Sequence, residues 1–276
     1  MSLPPIEQLR VLMQRLRDPN DGCPWDRKQD FASIVAYTLE EAYELADAIA
    51  LEQPDAIRGE LGDLLFQVIF YSQMAEEKGW FDFDAVAQGI VDKLLRRHPH
   101  VFPDGTLASR AADAPDTPTE AIKRKWESIK QAERAERGLS GLLDDVPAAL
   151  PALSRAAKLQ KRAAGVGFDW ADATEVLAKL DEERAELEEA TLDGSSEAVE
   201  HELGDLLFTV VNLARHLGVD PEAALRSANR RFEQRFGHIE RSLVSAGRHP
   251  KDASQSELEL LWQQAKQLEG ATPDDQ

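Results

Sequence analysis

An all-α protein built from two tandem helical-bundle domains of one kind is predicted by three observations. The segment ELGDLLFQV at 60–68 returns as ELGDLLFTV at 202–210, identical at eight of nine positions. Apolar residues recur at helical spacing, and no convincing strand pattern appears. Gly and Pro are sparse, 16 and 14 of 276 residues, and β-branched runs are few.

In the first copy this reading places helices over about 5–17, 30–52, 55–78, 82–98 and 118–137. In the second it places them over about 148–163, 171–192, 195–217, 220–246 and 254–268. Asp55 and Ser195 or Ser196 are candidate N-caps of the two motif helices. The stretch 103–119, PDGTLASRAADAPDTPT, reads as an exposed loop. Gly62 and Gly204 sit inside predicted helices, where a glycine costs about 1 kcal/mol against alanine. Close approach of a neighbouring helix is the expected reason.

The repeat extends well beyond the nonapeptide. At an offset of 142, Glu40, Glu41, Glu44, Glu60 and Asp63 meet Glu182, Glu183, Glu186, Glu202 and Asp205. Upstream, GCPWD (22–26) meets GVGFD (165–169). Downstream, Lys93, Arg97 and His100 meet Arg231, Arg235 and His238, and Trp126 and Lys130 meet Trp262 and Lys266. Order is kept and the gaps fall in loops, as two copies of one domain require. The expected domains are 1–140 and 141–276.

The net charge of −19 argues against a nucleic-acid binder, which needs a basic footprint. A small anionic ligand would need local Lys or Arg, or a divalent ion, beside the carboxylates. With one cysteine, Cys23, no internal disulfide framework exists. Val166 replaces Cys23 in the second copy, which argues against a catalytic thiol. No secretory n- and h-region and no apolar run long enough to span a membrane is visible, so a soluble, cytoplasmic chain without a membrane partner is expected.

The acids carry the chemistry. Ile57, Leu61, Leu64, Leu65, Val68 and Ile69 form an apolar stripe, and Glu60 and Asp63, three apart, lie along its edge. One helix earlier the stripe runs through Thr38, Ala42, Leu45 and Ile49, with Glu41 and Glu44 at its edge. On adjacent antiparallel helices the two pairs can converge, and Glu183, Glu186, Glu202 and Asp205 repeat the arrangement. Four close carboxylates repel one another, so the group is expected to hold cations. All-oxygen ligation suits Mg²⁺, with Mn²⁺ as an alternative. A di-iron bundle would want Glu-x-x-His pairs, which are absent. The competing reading, solvated acidic faces paired with Lys or Arg, loses weight because the spacing is duplicated.

Lys93 with Arg97, and Arg231 with Arg235, are one helical turn apart and could clamp phosphate oxygens, or simply complement a helix C-terminus. Trp126 with Lys130, and Trp262 with Lys266, could stack a base and reach a phosphate, or the Trp could belong to a core. Trp25 is open between packing and ligand contact. No P-loop and no GxGxxG is present. Together the acids, cations and Trp point to a nucleotide polyphosphate whose phosphates a divalent ion would bridge, while activating a water.

GCPWD, YTLEEAYELADAI, GELGDLLFQV and DKLLRRHPHVF, followed by VGFDW, EERAELEEA, HELGDLLFTVVNLARHLG and WQQAK, resemble the two-domain MazG nucleoside triphosphate pyrophosphohydrolases over nearly the whole chain. The resemblance implies the all-α NTP pyrophosphatase fold, Mg²⁺ dependence and a homodimer. It implies cleavage of NTPs or dNTPs between the α- and β-phosphates, with broad base specificity and a housecleaning role. By motif position it assigns Glu183, Glu186, Glu202 and Asp205 to metal, and Arg231, Arg235, Trp262 and Lys266 to the nucleotide. It favours the C-terminal copy as the active one, although the first keeps Glu41, Glu44, Glu60, Asp63, Lys93, Arg97, Trp126 and Lys130. The second copy departs from the family pattern at Arg231 and Gln234, where a Lys and an Arg are more usual. Glu182 or Glu183 is the expected general base. The rival is a nucleotide-binding or regulatory helical protein without turnover; a third reading is an acidic helical scaffold.

Overall fold

The computed structural model describes residues 3–110, 118–136, 138 and 141–270. The chain divides into two compact units, Met1–Lys130 and Gln131–Gln276. Among the described residues it holds ten α-helices, two short 3-10 turns and no strand.

The first unit runs α1 (Pro5–Leu16), α2 (Val35–Ala50), α3 (Pro54–Glu77) and α4 (Phe83–Arg97), and α5 (Thr119–Glu136) crosses the division. The second holds α6 (Ala152–Ala164), α7 (Ala173–Asp193), α8 (Ser196–His216), α9 (Pro221–Ser245) and α10 (Gln255–Gly270). All ten predicted helices form. Their starts follow local chemistry: Pro5, Pro54 and Pro221 open helices where the missing N–H costs nothing. Asp82, Asp172, Ser195 and Asp220 cap α4, α7, α8 and α9 with their side chains.

Three local expectations need correction. Asp55 does not cap α3; it lies in the first turn, paired with Arg58 at 3.0 Å. α2 begins at Val35 rather than near 30, because Asp30 and Ser33 bind each other's backbone N–H at 2.8 and 2.9 Å and close a turn ahead of it. α6 begins at Ala152 rather than 148, behind the extended Pro151. Of the predicted exposed loop, 103–110 forms turns, and 111–117 lies outside the described residues.

The core of the first unit is Met13, Ile34, Ile69, Phe70 and Met74, flanked by Ile6, Leu9, Phe31, Phe66, Tyr71 and Phe83. Arg17 fastens the 17–31 segment to it. Its guanidinium lies over Phe70, pairs with Glu77 at 2.6 Å and donates to the carbonyls of Asp26 and Gln29. The paired helices α2 and α3, and likewise α7 and α8, repeat one burial pattern at the offset of 142. Ile34, Ala48, Gln67, Ile69 and Phe70 are buried, and so are Val176, Ala190, Thr209, Val211 and Asn212.

The expected stripe is only partly the core face. Ile69 is buried and Ile57 and Leu64 are half-buried, but Leu61, Leu65 and Val68 are exposed, as are Leu203, Leu207 and Val210. In α2, Thr38 and Leu45 are half-buried while Ala42 and Ile49 are exposed. The side of α3 that packs inward instead carries Phe66, Gln67, Phe70 and Met74. Gly62 and Gly204 are also corrected: a Cβ built at either meets nothing within 4 Å, so no close approach explains them.

Candidate metal and nucleotide site

In the first unit Glu41 from α2 and Glu60 and Asp63 from α3 bring carboxylate oxygens within 4.8 Å of one another. Glu44 adjoins the group through Glu60. Burial, then the charges of Asp63, Glu44 and Glu60, pushes the Glu41 carboxyl above its ordinary value. Burial and the charges of Glu44 and Asp63 do the same to Glu60. Mutual repulsion at a hairpin edge is an unmet demand for positive charge.

The second unit arranges the matching acids as two overlapping triads. Glu183 and Glu186 from α7 meet Glu202 from α8 with oxygens within 4.8 Å, and Glu202 also joins Asp205 and His201. Glu183 is buried. Lys179 Nζ lies 2.8 Å from both Glu182 and Glu183, and these two contacts hold its ammonium well above the ordinary value. Burial and the charges of Glu183, Glu182 and Glu202 raise Glu186, against the opposing Lys179. The hydrogen bond to Glu202, then the charge of Asp205, raises His201. Lys179 and His201 were not singled out from the sequence. The available signal was spacing: each precedes an acid by four residues, one helical turn. The first copy has Tyr37 and Gly59 at these two places.

The donor chemistry fits a divalent ion. Mg–O bonds of about 2.0–2.1 Å put ligands on one ion about 3–4 Å apart, so small side-chain rotations close either all-oxygen triad on an ion.

The predicted cations and aromatics have contacts of their own. On α9 and α10, Arg235 grips Glu269 through two nitrogens, with Nη2 at 2.7 Å from Oε2, and its guanidinium lies 5.4 Å from the Trp262 ring centre. Phe232 packs on Trp262 at 5.4 Å. Arg231 donates to Ser227 at 2.9 Å, and Lys266 is exposed. In the first unit, Trp126 is half-buried with its ring edge-on to His98 at 5.2 Å, and Lys93, Arg97 and Lys130 are half-buried. Arg235 is therefore engaged by Glu269, whose carboxyl it holds below the ordinary value. Trp25 is half-exposed, edge-on to Tyr37 at 5.8 Å.

Comparison with known proteins shows the family of the chain that carries these hairpins. A family model described as "MazG nucleotide pyrophosphohydrolase domain" matches residues 29–102, and one described as "Phosphoribosyl-ATP pyrophosphohydrolase" matches 151–232. The chain is 50% identical to the nucleoside triphosphate pyrophosphohydrolase of Escherichia coli K12 over 268 residues, covering 96% of this chain and 98% of that one. The chain belongs to the MazG family. A second MazG protein, the nucleoside triphosphate pyrophosphohydrolase/pyrophosphatase of Thermotoga maritima, is 41% identical over 95% of each chain. A Mycobacterium tuberculosis nucleoside triphosphate pyrophosphohydrolase is 35% identical over 66% of this chain and 54% of its own length. The MazG and phosphoribosyl-ATP matches contain all eight paired acids, Glu41, Glu44, Glu60 and Asp63 in one and Glu183, Glu186, Glu202 and Asp205 in the other. Among the described residues of this MazG chain, no helix is long and apolar enough to cross a membrane.

Proposed function

We propose that the chain hydrolyses nucleoside triphosphates and deoxynucleoside triphosphates between the α- and β-phosphates, releasing a monophosphate and pyrophosphate, with Mg²⁺ and, in its place, Mn²⁺. The observation that supports it best is the pair of acid clusters on the helical hairpins, in a chain half identical to a nucleoside triphosphate pyrophosphohydrolase. The bound ion would neutralise phosphate charge and lower the pKa of a water.

The protein's own groups have distinct tasks. Glu183, Glu186, Glu202 and Asp205 hold the ion in the second copy, as Glu41, Glu44, Glu60 and Asp63 would in the first. Glu183 is committed to a triad, so Glu182 is the better placed general base: it is exposed and oriented by Lys179 at 2.8 Å. Arg231, Arg235 and Lys266 bind phosphate, with Trp262 beside the base. Lys93, Arg97, Lys130 and Trp126 are the first copy's equivalents.

Domains 1–140 and 141–276 each supply one such set. The exposed Leu61, Leu65, Val68, Leu203, Leu207 and Val210 favour a homodimer that covers them. The setting is cytoplasmic, on free nucleotides, without nucleic-acid or membrane partners, in housecleaning of the nucleotide pool. The test is pyrophosphate release from a panel of NTPs and dNTPs with Mg²⁺. Pyrophosphate from at least one is expected. Silence across the panel would leave a nucleotide-binding protein without turnover.

A further inference from the structure

The two copies do not offer the same donors. At the start of the repeated motif the first copy has Gly59, and the second has His201. His201 Nδ1 lies 3.3 Å from Glu202 Oε1 and 3.4 Å from Asp205 Oδ2. Two ligands at right angles on an ion with bonds of about 2.1 Å stand about 3 Å apart. The imidazole nitrogen is therefore spaced from each carboxylate as two ligands of one ion are, and one donor atom of each of the three residues lies within 4.8 Å of the others. His201 and Asp205 are four residues apart on α8, the spacing that lets two side chains of one helix share a metal. His201 is exposed, so no packing role accounts for its position.

We propose that His201 is a metal ligand. With Glu202 and Asp205 it turns one position of the second copy into a mixed nitrogen–oxygen site. Glu202 then faces two ions, this one and the ion of the all-oxygen triad with Glu183 and Glu186. An imidazole nitrogen favours Co²⁺ or Zn²⁺ over Mg²⁺, which prefers oxygen. The first copy, whose Glu41, Glu60 and Asp63 have no nitrogen beside them at the Gly59 position, stays a Mg²⁺-type site. The copies thus differ in metal preference while sharing their acids. This rests on the reading that the acid clusters bind divalent ions.

The full chain is loaded with Mn²⁺ and nitrogen hyperfine coupling is read by pulsed electron paramagnetic resonance, for the natural chain and for His201→Asn. Co²⁺ and Mg²⁺ affinities are measured on both by calorimetry, without nucleotide. Coupling that disappears in His201→Asn is expected. So is a loss of Co²⁺ affinity of at least about tenfold at one site, against less than about threefold for Mg²⁺. Mn²⁺ binding without coupling, or coupling that survives His201→Asn, overturns the ligand assignment alone. Equal weakening of Co²⁺ and Mg²⁺ makes His201 an electrostatic neighbour, and also overturns it. No Mn²⁺ binding to the natural chain overturns both this inference and the metal reading of the clusters. Helical circular dichroism confirms that the variant is folded.

Discussion

At the scale of single residues, the acids of the first copy destabilise one another while no cation is bound. Glu41 and Glu60 have carboxyl groups raised in the folded state, so the fold takes up their protons more readily than the unfolded chain does. Their contribution to stability therefore improves as pH falls through the raised values and is unfavourable above them. Glu77 and Asp169 carry the opposite sign. Burial would raise each, but Arg17 holds Glu77 low, and Arg215 with His216 holds Asp169 low. What they contribute is present above their unfolded values and is lost as pH falls through the depressed folded ones. At neutral pH without divalent ions, Glu41→Gln should raise the thermal midpoint, and it should shrink the further rise on adding Mg²⁺ or Mn²⁺. A midpoint that falls in Glu41→Gln would mean that Glu41 already has a cation partner. The acids were legible in the sequence because the repeat marked them twice. Lys179 and His201 were not, because each occurs in one copy and a comparison of copies passes over what they do not share.

At the scale of the helix, burial was harder to read than existence. All ten helices were legible from spacing and punctuation, yet the stripe drawn through Leu61, Leu65 and Val68 is largely exposed. An amphipathic pattern records every apolar face, including one that waits for a partner, and a single wheel cannot tell these apart. Two variants of α3 test the observed packing. Phe70→Ala removes a fully buried ring from the core and should cost about 3–5 kcal/mol in denaturant unfolding. Gly62→Ala should instead stabilise by about 1 kcal/mol, because its Cβ would meet open space. A drop in stability for Gly62→Ala would show that another surface closes on that glycine.

At the scale of the molecule, the duplicated hairpin brings both an acid edge and an unburied apolar face. If the proposed homodimer covers this face, Leu65→Glu together with Leu207→Glu should shift light-scattering mass from dimer to monomer. A dimer that persists at micromolar concentration would move the interface elsewhere. The partner of Arg235 was not legible either. Spacing marked Arg235 and Trp262 as candidates, but not that Arg235 lies over Trp262 and is closed by Glu269. Glu269→Ala should free Arg235 and lower the KM for nucleotide with little change in kcat; a raised KM would make the ion pair part of the binding site.

In the proposed function these acids form the hydrolytic site, and the resemblance favours the second copy as the working one. Asp63→Ala and Asp205→Ala, each assayed for Mg²⁺-dependent pyrophosphate release, test it most directly. Asp205→Ala should lose at least about a hundredfold in rate while Asp63→Ala keeps most of it. Loss in Asp63→Ala with activity kept in Asp205→Ala would place the chemistry in the first copy, and activity kept in both would contradict the claim.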